Sequence, residues 1–144
     1  MRLLNKDTRY SVRALAFMAG RSAADPKKLV SVDMLAREEK MPRNYLRKLL
    51  QILAREKLLR SHKGKKGGFS FLRNPEDITM ADIIAIFQGE IEEVDCFVEG
   101  HLCGRNRLCV LRSAMMDIHQ LVKKEFSKIT IASLIINRKA RVRS

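Results

Sequence analysis

Long apolar runs are missing from this chain of 144 residues, and nothing in it approaches the roughly 20 consecutive apolar residues of a membrane-spanning helix. The opening MRLLNKDTRYSVRALAFMAG is broken by Asp7, Arg9 and Arg13, which makes it a poor signal peptide, so a cytoplasmic location with reduced thiols is expected. Histidine is scarce. His62, His101 and His119 have no evident carboxylate partner or nucleophile nearby in sequence, and no substrate pocket is indicated, so the chain does not read as an enzyme. Acidic residues are outnumbered 16 to 29, leaving a formal net charge of +13 and a pI of about 10.2. That balance says nothing of fold but favours a polyanionic partner, either nucleic acid or an anionic membrane surface. There is no internal repeat and no low-complexity stretch. At 46% hydrophobic, the chain suits one modest core with a helical extension.

What is present is concentrated between Ser31 and Leu72. Leu46, Leu49, Leu50 and Leu53 recur at i, i+3, i+4 and i+7, one stripe of a helix. Opposite them stand Asn44, Lys48, Gln51 and Arg55, with Arg47 on the shoulder. A helix that is leucine inside and amide-plus-cation outside suits the DNA major groove, although any single helix of this kind is more often a solvated surface helix. Its neighbours tip the balance. A shorter helix should precede it, N-capped by Ser31, with Asp33 in the first turn and Val32, Leu35 and Ala36 buried. Pro42 suits the first turn of the second helix. The corner between them lacks the glycine common in helix-turn-helix turns, and Lys40 is nearest that place. After Leu58 the period changes: Leu59 to Ser61 and Phe69 to Leu72 read as two strands around the tip His62-Lys63-Gly64-Lys65-Lys66-Gly67-Gly68. The tip is not a nucleotide-binding loop, which needs Gly-Lys-Ser/Thr opening a helix. Beside a recognition helix, a lysine-tipped hairpin is expected to be a wing against the sugar–phosphate backbone.

A first helix is expected over roughly 7–22, capped by Asp7 or Thr8, with Val12, Leu15, Ala16 and Ala19 as its core stripe. Its basic entry, Arg2, Lys6, Arg9 and Arg13, reads as ordinary solvation or as a further phosphate contact. Past Arg73-Asn74-Pro75 another helix begins near Thr79, which pairs with Asp82 in the manner of a capping box, and Gly89 is its stop. Its core residues are Ile83, Ile84, Ile86 and Phe87. Glu90, Glu92, Glu93 and Asp95 follow as the acidic cluster of the chain. Then Leu111, Ala114, Met115, Ile118, Leu121, Val122 and Phe126 recur at helical spacing, either packed on the chain's own core or, as preferred here, pairing with a second copy, since a two-fold dimer reads two half-sites. The tail ITIASLIINRKARVRS is a short apolar segment with a basic end. The expected fold is mainly α with a small β-hairpin wing: a winged helix-turn-helix DNA-binding domain over residues 1–78, then a helix, a cysteine-containing loop and a long dimerisation helix with a basic tail over 79–144.

All three cysteines, Cys96, Cys103 and Cys109, fall in one short glycine-containing loop at Cys-x6-Cys-x5-Cys spacing. Cysteines filling a core would alternate with leucines at helix or strand spacing. A disulfide is disfavoured by the odd count and the reducing compartment. A soft metal centre accounts better for the loop, since thiolates select zinc or iron–sulfur clusters. Spacing alone leaves both open: His101 would complete a Cys₃His zinc site, and an iron–sulfur cluster with one further ligand is equally permitted.

The opening Met-Arg-Leu, the Arg9-Tyr10-Ser11-Val12 entry, Tyr45-Leu46 in the second helix, the Gly67-Gly68-Phe69 wing and the three-cysteine loop together resemble the Rrf-two family of bacterial regulators, over nearly the whole chain. The resemblance implies a homodimer on imperfectly palindromic double-stranded promoter DNA. It also implies a [2Fe–2S] or [4Fe–4S] cluster on Cys96, Cys103 and Cys109 that tunes DNA affinity. In one branch of the family the fourth ligand is a histidine three residues after the last cysteine, where this chain has Arg112. In another it is an N-terminal aspartate from the partner subunit; by register that place is Arg9, with Asp7 two residues earlier. Asp7, His101 or an exogenous small thiol or water therefore stand as candidates. The implied DNA contacts are Arg43, Asn44, Tyr45, Arg47 and Lys48 on the helix and Lys63, Lys65 and Lys66 on the wing. Arg47 stands where one branch of the family reads bases with a glutamate, so the operator should differ from that branch's. Alternatives are a winged-helix DNA binder with a structural zinc, a metal-free thiol redox sensor, and a small electron-transfer protein. The last is disfavoured by the basicity and the DNA-reading helix.

Overall fold

Helix boundaries in this chain are set by side chains that spend a hydrogen bond on an orphan backbone N–H, and the computed structural model, which describes residues 1–91 and 109–135, places most of them where such residues occur. Helix α1 spans Lys6–Ala24. Its cap is Asn5, not Asp7 or Thr8: the Asn5 carboxamide oxygen accepts the Thr8 N–H at 2.8 Å. Leu15 and Ala19 are buried as expected, but Ala14 and Met18 join them, while Val12 and Ala16 are only partly covered. Helix α2, Val32–Glu39, is capped by Ser31, whose hydroxyl oxygen accepts the Met34 N–H at 3.1 Å.

The corner is made without glycine. Lys40 takes the left-handed conformation itself, φ 53° and ψ 48°, and Met41 N–H closes onto Ala36 C=O at 3.0 Å. Pro42 falls one residue earlier than expected, as the N-cap of helix α3, Arg43–Arg55. Leu46, Leu49, Leu50 and Leu53 are all buried, so the leucine stripe faces inward along its full length. The end of α3 repeats the device of the corner: Lys57 has φ 62°, and Leu58 N–H reaches back to Leu53 C=O at 3.0 Å.

Strands β1, Leu59–His62, and β2, Gly68–Phe71, form an antiparallel hairpin in the register Leu59↔Phe71, Arg60↔Ser70, Ser61↔Phe69 and His62↔Gly68. The pairing starts one residue nearer the tip on each side than the sequence pattern suggests. The hairpin is held at its root by Val30, whose N–H and C=O bond to Phe69 O and N at 3.0 and 2.9 Å.

Helix α4, Met80–Gln88, opens with the complete Thr79–Asp82 capping box and stops at Gly89. Helix α5 spans Val110–Ser127 and buries no residue. The chain then returns: Met80 N–H bonds to Ile129 O at 2.9 Å and Ile131 N–H to Ile78 O at 2.8 Å. Ile131 is fully buried and shares one hydrophobic cluster with Leu15, Leu46, Leu50, Ile78 and Ile83, so the core runs across residue 78 and gathers α1, α3, α4 and the segment after α5. The basic end of the tail lies outside the described residues.

Candidate DNA interface and cysteine segment

With its leucines inward, α3 turns Asn44, Arg47, Lys48 and Gln51 to solvent. Arg43, at the start of the same helix, is also exposed and ion-paired with the Asp33 carboxylate of α2. An exposed pair of this kind contributes about 0–1 kcal/mol, so the guanidinium exchanges partners at little cost. The wing presents Lys63, Lys65 and Lys66, all exposed, around a turn closed by Gly67 N–H to Gly64 O at 3.0 Å. Two glycines there are required by space: a Cβ on Gly67 would lie 2.3 Å from His62 O, and one on Gly68 2.6 Å from Val30 O. His62 and Ser70 join the two strands by a 2.8 Å bond between Nε2 and Oγ.

Tyr45 departs from the expected set. It is half-buried, and its hydroxyl donates to Asp7 of α1 rather than standing in the row of outward residues. Its ring meets Tyr10 edge-to-face at 5.5 Å, and Lys6 Nζ lies 4.9 Å from its centroid. Burial, then the bond to the Asp7 carboxylate, pushes its pKa up to about 12. Arg13 is committed within the fold too: its guanidinium donates to Glu39 O at 2.9 Å and Glu39 Oε2 at 3.2 Å, satisfying a carboxylate that is 4% exposed. The expectation that Arg13 is either solvated or on a phosphate missed this, because nothing local in the sequence joins positions 13 and 39.

Of the cysteines, Cys109 lies among the described residues, half-buried as a free thiol at the N-cap of α5, where no side-chain cap bond occupies it. Cys96 and Cys103, with His101 and the acidic residues Glu92, Glu93 and Asp95, lie outside the described residues. Among the described residues no three His, Cys, Asp or Glu side chains converge to hold a metal ion. Asp7, a candidate fourth ligand, already accepts the Tyr45 hydroxyl; Arg112 stands in the first turn of α5. No helix among the described residues is long and apolar enough to cross a membrane.

A leucine-backed helix with a cationic outer face, cornered against α2 and flanked by a lysine-tipped hairpin, defines a winged helix-turn-helix transcriptional regulator. The family model for Rrf2, described as an iron-dependent transcriptional regulator, matches residues 4–137, and the chain belongs to that family. The regulator NsrR of Shouchella clausii is 28% identical over 136 residues, covering 93% of this chain and 89% of that one. Two solved structures share the fold. CymR, the global cysteine regulator of B. subtilis, superposes with a TM-score of 0.77 at 22% identity, over 95% of this chain and 98% of that one. IscR of T. potens gives 0.74 at 22% identity, over 95% and 88%. These relatives are transcriptional regulators, not enzymes.

Proposed function

We propose that this Rrf2-family regulator binds operator DNA as a homodimer and that Cys96, Cys103 and Cys109 of each subunit hold an iron–sulfur cluster whose gain or loss resets operator affinity. The observation that carries the DNA half is that Asn44, Arg47 and Lys48 of α3 and Lys63, Lys65 and Lys66 of the wing are all turned to solvent, on a helix whose leucines face the core. In this reading the helix residues, with Arg43 released from Asp33, read base edges and phosphates in the major groove, and the wing lysines grip the backbone. Tyr45 serves from behind the interface, holding α3 to α1. The dimer half rests on α5, whose Leu111, Ile118 and Leu121 are 57, 49 and 59% exposed on one stripe in the single chain. A second copy that covers the stripe also doubles the half-sites read.

For the cluster, the donor set is chemically apt: three thiols, one of them the uncommitted Cys109 at a helix N-terminus. When bound, the group would supply a redox- and ligand-sensitive centre held by thiolates. The protein's own part is to present those thiolates on the segment between α4 and α5, which joins the reading head to the dimer helix. The fourth ligand is Asp7, His101 or an exogenous group.

Anaerobic purification with a visible spectrum and counts of iron and sulfide tests the cofactor. An operator selected from a random duplex pool, titrated with loaded, cluster-free and Cys103→Ala protein, tests the coupling. The expected result is a coloured protein whose loaded form differs from the other two in operator affinity. Colourless, iron-free protein with stoichiometric zinc would install the structural-zinc reading instead, and equal affinities would remove the switch while leaving DNA binding in place.

A further inference from the structure

The first turn of α1 touches the end of α4 on one side and the start of α3 on the other. Gln88, the last residue of α4, lies at the surface yet spends both ends of its carboxamide on the protein. Its Oε1 accepts the Asn5 backbone N–H at 2.9 Å and the Thr8 hydroxyl at 2.7 Å, and its Nε2 donates to Leu3 O at 3.1 Å. Asn5 returns a bond from Nδ2 to Phe87 O at 3.1 Å. Thr8 is fully buried, so its hydroxyl has no water to replace Gln88. The residue beside it, Asp7, accepts the Tyr45 hydroxyl, and Lys6 covers the rings of Tyr45 and Tyr10. Asn5, Asp7 and Thr8 are bound into one helical turn and cannot shift independently of one another.

We infer that Gln88 is a positioning residue: through Asn5, Thr8 and Asp7, the end of α4 sets the place of Tyr45 and with it the first turn of the recognition helix. The inference rests on the function proposed above. In sequence, α4 leads directly into the segment that carries Cys96 and Cys103, so a change there reaches the DNA-reading helix by way of α1. The wing is pinned separately, by Val30, and takes no part in the route.

The chain offers its own reporter. It has two tyrosines, Tyr10 and Tyr45, and no tryptophan, so intrinsic emission arises from this bridge alone. A tyrosine hydroxyl bonded to a carboxylate is quenched, and loosening the bond raises emission. Full-length Gln88→Ala, Gln88→Glu, Tyr45→Phe and the Gln88→Ala/Tyr45→Phe double variant are compared on two duplexes, an operator selected from a random pool and alternating poly(dI–dC). Gln88→Ala is expected to raise emission and weaken operator binding about three- to tenfold, the scale of one lost hydrogen bond. Its affinity for poly(dI–dC), carried by the lysines, should hold. Gln88→Glu keeps the acceptor oxygen for Asn5 and Thr8 but loses the donor to Leu3 O, and should fall between Gln88→Ala and wild type. The double variant should bind the operator no worse than Tyr45→Phe, because both changes break one route. Unchanged emission in Gln88→Ala, equal losses on both duplexes, or losses that multiply in the double variant would each overturn the inference. Wild-type protein that selects no operator would instead overturn the proposed function, while the emission measurement still decides whether Gln88 sets Tyr45.

Discussion

Replacing Gly68 by alanine asks whether the wing is pinned to the body of the domain, because a single methyl group has no place there. Its Cβ would lie 2.6 Å from Val30 O, 2.9 Å from Val30 C and 3.2 Å from Ser31 N. All three neighbours are backbone, so relief requires separating the wing from the strand-like residue that anchors it. That separation breaks the Val30–Phe69 bonds at 3.0 and 2.9 Å, each contributing about 1 kcal/mol. It also opens Phe69, 6% exposed in the native fold, for about another 1 kcal/mol. The sum, about 3 kcal/mol, corresponds to a fall in Tm of about 10 °C for a domain of this size. The control is Gly64→Ala at the tip. A Cβ there meets nothing within 4 Å, and only the positive φ of +106° opposes it, so about 1 kcal/mol is expected. Thermal unfolding followed by far-UV circular dichroism separates the two. Operator titration should show Gly68→Ala losing affinity through a misplaced wing. If Gly68→Ala melts with the wild type, the Val30 anchor does not hold the hairpin and the account of the wing fails.

Lys40→Gly should raise stability by about 1 kcal/mol, since glycine meets the left-handed corner without Cβ strain; urea denaturation showing a loss would mean that the lysine side chain contributes more than its backbone costs. Exchanging Lys65 and Lys66 for glutamine removes four charges from a dimer. At about 0.9 per phosphate contact, the slope of log affinity against log salt should flatten by about 3.6, and an unchanged slope would take the wing off the backbone. Arg47→Ala should instead relax base preference, read by repeating the operator selection; the same consensus from the variant would exclude base reading by Arg47. The raised pKa of Tyr45 means that the unfolded chain releases its phenolic proton first, so stability is intact below pH 10 and declines as pH climbs from 10 toward about 12. Tyr45→Phe should flatten that decline, and an identical decline in the variant would dismiss the pair as its cause. Ile118→Asp with Leu121→Asp should yield a monomer by sedimentation and weaken operator binding; a dimer surviving both would move the interface off this stripe.

What was legible in the chain was what neighbours in sequence decide. Leucines four and three apart, a serine ahead of a helix, Thr79 three residues before Asp82, and glycines around a lysine tip each act within one turn, and the structure realises each of them. What was illegible depends on partners far along the chain. Asn5, Asp7 and Thr8 are all capable N-caps; the choice of Asn5 follows from Gln88, 83 positions away, which takes the Thr8 hydroxyl and the Asn5 N–H together. Tyr45 stands among the DNA contacts that accompany the family resemblance, and the packing of α1 across α3 instead sets its hydroxyl on Asp7. Ile131 lies in a stretch that reads as a tail, yet it is fully buried, because its N–H bonds to Ile78 O and its side chain joins the core cluster.

The same distinction bears on how the net charge of +13 is spent. Arg13 is tied to Glu39, whose carboxylate is 4% exposed, so that cation belongs to the fold and is a poor candidate for a phosphate. Arg43 is tied to Asp33, but both groups are about half exposed or more, and a phosphate can displace so weak a partner. The cations proposed to meet a duplex are therefore fewer than the composition suggests, and they lie on two elements held to the body of the domain, α3 through its buried leucines and the wing through the backbone of Val30. Under the function proposed here, operator affinity would be reset by moving whole elements, and the contacts at the ends of the helices would then matter as much as the residues that face the groove.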